Sequence, residues 1–487
     1  LALVTYLPCL NLAFLGEDFQ FIMWGSRGIG EILKPVAQWH HYKPVGLFLV
    51  GLPARFVGLN EPFYHGFILA LHIANCFLIY FFIERITRKR GLAFMGALLY
   101  SVYSMHYEAV LWGEAGYYQF SVFFSLATLW LFISYLQRTT WRAYAAFVMA
   151  FAVNILVYEQ GVAALGVCLF YEILIGPRVP RGASEESNFV HLSLGGKYVL
   201  PLAFVAALWL IKARATSHTG IFVTSPLEIV RFYVANLMGF LTPGFYFGLV
   251  AGLRTARSSL GLLIALIPLA LFIWRGFRRN RFQLFLFAWM VVALFPNALF
   301  GTLSSRNFPL PAVAYAVLLA SFVTWISSHL VLLCVGRNSK EDGMKRRLAD
   351  WVTAALVATI LFANVLSVRD RLDAWARVTD VANKLTRQST EIARQYGTEN
   401  EIHFLDRPYR LDVGEFWPPP PPFGPTFRDE IAFRSGIPRT RISDHWRDTS
   451  VPLEELLDSL AGNPHAVVFV YDEAREQFMR VESPDGP

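Results

Sequence analysis

The chain has 487 residues, 55% hydrophobic and 16% charged, with 42 Phe and a formal net charge of +7. A soluble domain carries about 25% charged residues, so this composition excludes a single water-filled shell around one core and calls for lipid as a second solvent. The excess Lys and Arg fall in short clusters between apolar runs and form no basic, aromatic-interleaved face, which argues against nucleic acid as a partner.

In chain order, apolar runs at about 1–14, 63–83, 91–105, 117–136, 142–157, 160–175, 198–212, 260–274, 282–300, 310–334 and 348–368 read as about 11 transmembrane helices. The first run is already open at Leu1, which reads as a span lacking its beginning rather than as a cleaved leader. Cys9, Cys76, Cys168 and Cys334 each lie in an apolar run, none forms a CxxC pair, and all read as inert thiols. Residues 229–250 are apolar enough to span, but counting them would flip the basic cluster at 275–281, so they read as an outer-face or re-entrant segment.

The gaps between runs carry an orientation signal. Gaps at about 84–90, 137–143, 176–197, 275–281 and 335–347 hold 18 Lys and Arg in 56 residues; the opposite gaps hold 9 in 117. The basic gaps therefore face the cytoplasm, as does the N-terminus, in a multi-pass protein of the plasma (inner) membrane.

Residues 369–487 then form a small extracytoplasmic α/β domain after a multispan domain over 1–368. Within it, 369–396 reads as an amphipathic helix, Glu401–Leu405 and Ala466–Tyr471 as strands, and 452–461 as a helix. Pro418 to Pro422 read as a polyproline connector. The fold class is an all-α polytopic membrane protein with a C-terminal α/β appendage, and no internal repeat is visible.

Residues suited to chemistry gather on the outer side. Glu17 and Asp18 are adjacent carboxylates just after the first run, a pattern suited to activating a hydroxyl or holding a divalent cation. The same loop carries His40, His41, Tyr42, Lys43 and Pro44, where Lys43 offers a fixed cation to a phosphate. At the outer end of the third run, His106, Glu108 and Trp112 sit among apolar neighbours, where ionisable groups are costly. His72 and Glu159 add to this cluster. Arg306 stands alone on a short outer loop and suits an anionic headgroup.

Taken in order, these residues resemble the multispan glycosyltransferases of the GT-C fold, closest to the protein O-mannosyltransferase-like group and its bacterial relatives. The resemblance covers about 1–335. Glu17-Asp18-Phe19 matches the family's acidic pair, with Glu in place of the first Asp. Tyr42-Lys43-Pro44 is similar to a Tyr/Phe-Arg-Pro element, with Lys for Arg. His106-Tyr107-Glu108-Ala109-Val110-Leu111-Trp112 resembles a His-x-Glu-x-Val-x-Trp stretch, with Ser104 where Pro often precedes it. Arg306 before Pro309-Leu310-Pro311 resembles an Arg-x-x-Tyr-Leu-Pro element, with Phe308 and Pro309 changing the aromatic spacing.

The resemblance implies inverting transfer of a sugar from a polyprenyl-phosphate carrier to a protein or glycan acceptor. It casts Asp18, with Glu17, as the catalytic acid pair and Asp18 as base. Lys43 and Arg306 would bind the donor phosphate, and His106, Glu108, Trp112, His72 and Glu159 would orient substrate. Much of this resemblance does not require metal, Glu17, Asp18 and nearby histidines have the chemistry for a divalent cation, and the metal is left unassigned. A lipid-linked oligosaccharide ligase or polymerase, and a transporter or flippase, are the rival readings. The first would favour a long outer loop with paired Arg, for which Arg254 and Arg257 are the nearest approach. The second would favour repeated halves.

Overall fold

The computed structural model describes residues 1–34, 42–176, 195–215, 225–241, 280–299, 305–335, 342–407, 427–446, 452–461, 463 and 465–481. The runs at 260–274 and 242–250 and the Pro418–Pro422 stretch lie outside these residues.

Five described helices are long and apolar enough to cross a membrane: Glu61–Thr87, Gly116–Arg138, Arg281–Leu299, Pro309–Cys334 and Gly343–Tyr396. Shorter apolar helices stand beside them, including Arg90–Ser101, Trp141–Val157, Ala163–Leu174 and Gly196–Ala215. Two of these end or begin in 3-10 turns, Ser104–His106 and Glu159–Val162, so runs expected to be single helices change geometry at one end. The chain between Leu12 and Glu17 forms neither helix nor strand. The expected outer segment at 229–250 begins as the helix Pro226–Leu241, packed on Arg281–Leu299 with Tyr233 Oη donating to Val291 O at 3.0 Å.

Local chemistry sets the reversals. Asn60 caps the helix Glu61–Thr87 by accepting Phe63 N–H at 3.1 Å, and Pro62 sits in its first turn. At its far end Arg88 adopts φ 58°, and Thr139 adopts φ 51° after Gly116–Arg138. Each left-handed residue stops its helix, and the next helix starts within two residues. Connectors this short make neighbouring helices antiparallel. Arg85, Arg88, Arg90, Arg138 and Arg142 therefore lie at one end of the bundle, and Glu108, Trp112 and Glu159 lie at the other.

The bundle core is built from Ile79, Phe82, Phe132, Phe147, Trp289 and Val317, among others, each under 2% exposed. Side chains such as Phe77, Phe81, Phe94, Met149 and Phe362 remain at least half exposed, which suits a lipid-facing wall.

The helix expected over 369–396 is not separate. It continues the last span as one helix, Asp342–Tyr396, of 55 residues. At about 1.5 Å per residue it is roughly 80 Å long, more than twice the bilayer's apolar thickness of about 30 Å. Its first half exposes Trp351 and Phe362; its second half buries Leu372, Trp375 and Val378 against Tyr107 and Trp112. Apolar residues on the second half's inner face lost nothing by continuing the helix, so no break was needed.

Beyond the helix lies a four-stranded sheet in the order β2-β1-β3-β4, with β1 Glu401–Arg407, β2 Ile442–Trp446, β3 Ala466–Asp472 and β4 Gln477–Arg480. β1 is parallel to β2 and β3, and β4 is antiparallel to β3. Helix Leu453–Ala461 matches the expected 452–461. β2, β4 and the helix Phe427–Ser435 escaped the sequence reading, since each is at most nine residues long and charge-rich. One sheet face packs Ile402, Phe404, Phe469 and Phe478 on Phe427, Ile431 and the end of the long helix.

Candidate active site

The site is assembled from four stretches that the fold brings to one end of the bundle. Asp18 opens the short helix Asp18–Gly25 and is 1% exposed. Its Oδ2 accepts Leu15 N–H at 2.9 Å and its Oδ1 accepts Glu114 N–H, so both oxygens are held by backbone. The turn at Trp112–Ala115 closes on this carboxylate because residue 113 is glycine: a Cβ there would stand 3.0 Å from Asp18 Oδ1. Trp112 secures the other flank by donating from Nε1 to Leu15 O at 3.1 Å. Burial pushes the Asp18 carboxyl well above the usual carboxylate range, against the downward pull of its backbone donors.

Lys43 is the N-cap residue of the helix Pro44–Gly51 and is 3% exposed. Gly46 sets its position, since a Cβ there would lie 2.2 Å from Val157 O; the helix can approach the end of Trp141–Val157 only without a side chain. Lys43 Nζ sits 3.6 Å from the Tyr117 ring centre, 4.3 Å from that of Phe21 and 4.0 Å from Glu114 Oε1. Ring faces and one carboxylate thus stand in for the water that the ammonium has lost. Burial lowers Lys43 to about 8, opposed by the attraction of Glu114.

Glu114 is the residue the sequence reading missed. It lies just past the His106–Trp112 stretch and carries no motif of its own. Yet its backbone holds Asp18, its Oε1 is 4.0 Å from Lys43 Nζ and 3.4 Å from Tyr117 Oη, and its Oε2 is buried without a partner among the described residues. Burial, then the nearby charge of Glu17, raise Glu114 to about 8. The signal that could have found it was a second acidic residue at the start of a span, facing the first across the same end of the bundle. Glu17 is half-buried, and its charge bears on Glu114.

Arg306 completes the set. Its backbone N–H donates to Glu108 Oε2 at 3.1 Å, and its guanidinium lies 4.7 Å over the Trp112 ring. Glu114, Glu108, Tyr117 and Tyr118 are its charge partners. Gln160 fixes the loop from below by donating from Nε2 to Asn307 O at 2.9 Å. Glu159 joins through the main chain beside Lys43: its Oε1 accepts Tyr42 N–H at 3.1 Å.

Of the residues singled out from sequence, Asp18, Glu17, Lys43 and Arg306 therefore gather at Glu114, with Glu108 and Trp112 joined through Arg306 and Glu159 through the chain beside Lys43. His72 and His106 instead pair with each other, ring centres 5.2 Å apart, beside Tyr6 and Tyr100. His72 Nε2 lies 3.0 Å from Ser101 O, and neither His106 nitrogen has a partner among the described residues. His40 and His41 lie outside the described residues. No group of three or more His, Cys, Asp or Glu converges as a metal would require among the described residues.

An apolar cavity of about 340 Å³ opens beside this cleft, between the helices Trp141–Val157, Ala163–Leu174, Gly196–Ala215 and Arg281–Leu299. Ile155, Leu208, Trp209, Phe295 and Leu299 line it, and Glu159 is a charged residue on its wall.

The fold and the site together define a polytopic membrane protein whose spans carry, at one end, a buried cleft of carboxylates and cations beside an apolar cavity. No family model matches the chain. Two curated relatives are similar to part of it. The mouse (Mus musculus) protein O-mannosyl-transferase TMTC1 is 30% identical over 178 residues, 34% of this chain and 18% of that protein. Its human (Homo sapiens) counterpart is 30% identical over 146 residues, 27% of this chain and 16% of that protein. The chain thus spans less than a fifth of the length of these relatives, and the match agrees with the family resemblance read from the residues. Among solved structures, ArnT from Cupriavidus metallidurans bound to undecaprenyl phosphate is similar with a TM-score of 0.45 and 14% identity, covering 97% of this chain and 92% of that one. The oligosaccharyltransferase AglB from Archaeoglobus fulgidus, in complex with an inhibitory peptide and a dolichol-phosphate, has a TM-score of 0.43 and 11% identity, covering 75% and 55%.

Proposed function

We propose that this chain is a membrane glycosyltransferase of the GT-C type that moves a sugar from a polyprenyl-phosphate donor to an acceptor hydroxyl. The observation that carries the reading is the meeting of Asp18, Lys43 and Arg306, from stretches up to 288 residues apart in sequence, around one residue, Glu114, whose backbone N–H holds Asp18 and whose carboxyl faces the two cations. A base beside two fixed cations is what transfer from a phosphate leaving group needs. The partial match to the O-mannosyl-transferases supports the same class.

In this reading the acceptor oxygen attacks the anomeric carbon while Asp18 takes its proton. The bond between that carbon and the phosphate oxygen breaks, the electron pair leaves with the phosphate, and the anomeric configuration inverts. Lys43 and Arg306 stabilise the charge gained by the departing phosphate. Glu108 and Trp112 hold Arg306 and the Asp18 segment in place, Glu17 adds its charge beside Glu114 and Lys43, and Glu159 borders the seat of Lys43. The apolar cavity beside Glu159 would receive the carrier's isoprenyl chain, and the ring faces of Tyr117, Tyr118 and Tyr158 narrow the space left for water.

The cleft lies at the bundle end opposite the Lys and Arg clusters, so it would face away from the cytoplasm in the inner membrane, with 369–487 on the same side. We assign transfer to 1–368 and place 369–487 as the outer domain beside it. The test is direct: incubate the purified protein with a panel of polyprenyl-phosphate sugars and measure release of polyprenyl phosphate and transfer to glycan and peptide acceptors. The reading expects one donor to be consumed by the wild-type protein alone. If no member of the panel binds or turns over, it is wrong.

A further inference from the structure

The segment that carries Asp18 has no backbone ladder between Leu12 and Glu17 to fix it. Its anchors come from elsewhere, and one set comes from the C-terminal domain. Arg434, in the helix Phe427–Ser435, donates from Nη2 to Glu61 Oε1 at 3.2 Å and from Nε to Glu430 Oε1 at 2.9 Å. Glu61 is the first residue of the span Glu61–Thr87, and its carboxylate also faces the backbone N–H of Phe14. Phe14 precedes Asp18 by four residues. Beside this contact, Phe433 meets Phe19 edge-on with ring centres 5.8 Å apart, and Phe19 directly follows Asp18. The long helix adds Thr379 Oγ1, which accepts Ala13 N–H at 3.3 Å.

The Arg434, Glu61 and Glu430 side chains are 29%, 23% and 11% exposed, sheltered enough to hold their pairing in salt. Arg434 binds two carboxylates through separate nitrogens, a geometry that its planar fork supports and a lysine does not. One carboxylate belongs to its own helix; the other belongs to the membrane bundle and also meets the Asp18 segment.

We propose that Arg434 is a positioning residue: through Glu61 it clamps the segment Phe14–Phe19, so that the C-terminal domain holds the carboxylate of Asp18 in its seat. The consequence for sugar transfer rests on the function proposed above; the clamp itself does not. The domain thereby acts on the cleft without supplying any group to it, and detaching it loosens the base rather than removing a ligand.

Hydrogen–deuterium exchange on the full chain in lipid nanodiscs tests the clamp. Arg434→Ala and Glu61→Gln should each speed amide exchange over residues 14–22 by about tenfold, with exchange in the helix Trp141–Val157 unchanged. The double variant should exchange no faster than either single variant, because both remove one interaction. Arg434→Lys should recover part of the protection. Transfer from the active donor should fall in kcat by about tenfold in both single variants, with the donor KM held. Wild-type exchange in both single variants, or additive acceleration in the double, overturns the clamp. Faster exchange in a protein that turns over no polyprenyl-phosphate sugar leaves the clamp standing and removes the enzymatic reading instead.

Discussion

Two clusters of ionisable side chains are buried near the same end of the bundle, and they have solved the cost of burial differently. In the cleft, Asp18 takes two backbone donors, Lys43 lies against two rings and a carboxylate, and Arg306 faces several acidic and phenolic partners. In the second cluster, His72 and His106 are fully buried; among the described residues their rings pack on each other and on tyrosines, and His72 adds the Ser101 carbonyl and the neutral Gln119 side chain, with no charged partner. A carboxylate or ammonium stripped of water must be paired or neutralised, whereas an imidazole can simply remain uncharged. Elaborate pairing therefore marks groups whose charge is needed, and the histidines carry no such mark.

The hardest blow to this contrast would come from Asp18→Asn. The variant keeps the size of the side chain but turns one of its two backbone-facing acceptors into a donor, so it should purify folded with a lowered melting temperature, while transfer falls by about a thousandfold. Wild-type turnover would end the assignment of Asp18 as base. Lys43→Ala should cost about a hundredfold in kcat/KM. Adding Glu114→Gln to it should cost little more, because Glu114 contacts Lys43 at 4.0 Å and a shared interaction is lost only once. Full additivity of the two losses would show that Glu114 acts apart from Lys43.

Acidity gives a subtler comparison. Asp18 is raised above the ordinary carboxylate range, so the base becomes available only as pH climbs past that raised value. Lys43 is lowered to about 8, so its charge, and with it the hold on phosphate, is present below pH 8 and lost above it. Activity should rise as Asp18 ionises and fall above about pH 8 as Lys43 loses its proton. Lys43→Arg, if active, should extend the alkaline limb, because a guanidinium stays charged throughout this range; an unchanged limb would assign it to another group. The smallest effect is expected at the second cluster. His106→Gln should change kcat by less than about threefold and act mainly on thermal stability. A hundredfold loss would move the histidines into the chemistry and erase the difference between the two clusters.

Much of the fold was legible in the residues. Ten of the eleven apolar runs coincide with helical segments among the described residues, and the eleventh lies outside them. The two strongest strands, β1 and β3, were also visible. The cleft was legible in part: Glu17, Asp18, Lys43, Glu108, Trp112, Glu159 and Arg306 stood out because charge is rare in this chain's apolar context. Glu114 did not, because one more acidic residue at a span end resembles an ordinary boundary. Nor did the placement of His72 and His106 away from the carboxylates, since a shared end of the bundle leaves many lateral positions open.

The sequence alone determined which segments enter lipid, where they stop, and which end collects positive charge. Hydropathy, helix caps and Lys/Arg bias act over a few neighbouring residues, so they can be read locally. Only the tertiary structure decided that a backbone N–H of Glu114 would seat Asp18, that Glu114 would also face Lys43, and that Arg434 would reach across to Glu61. Those contacts join residues 71 to 373 positions apart, and electrostatic pairing depends on distance through space, which no local pattern records.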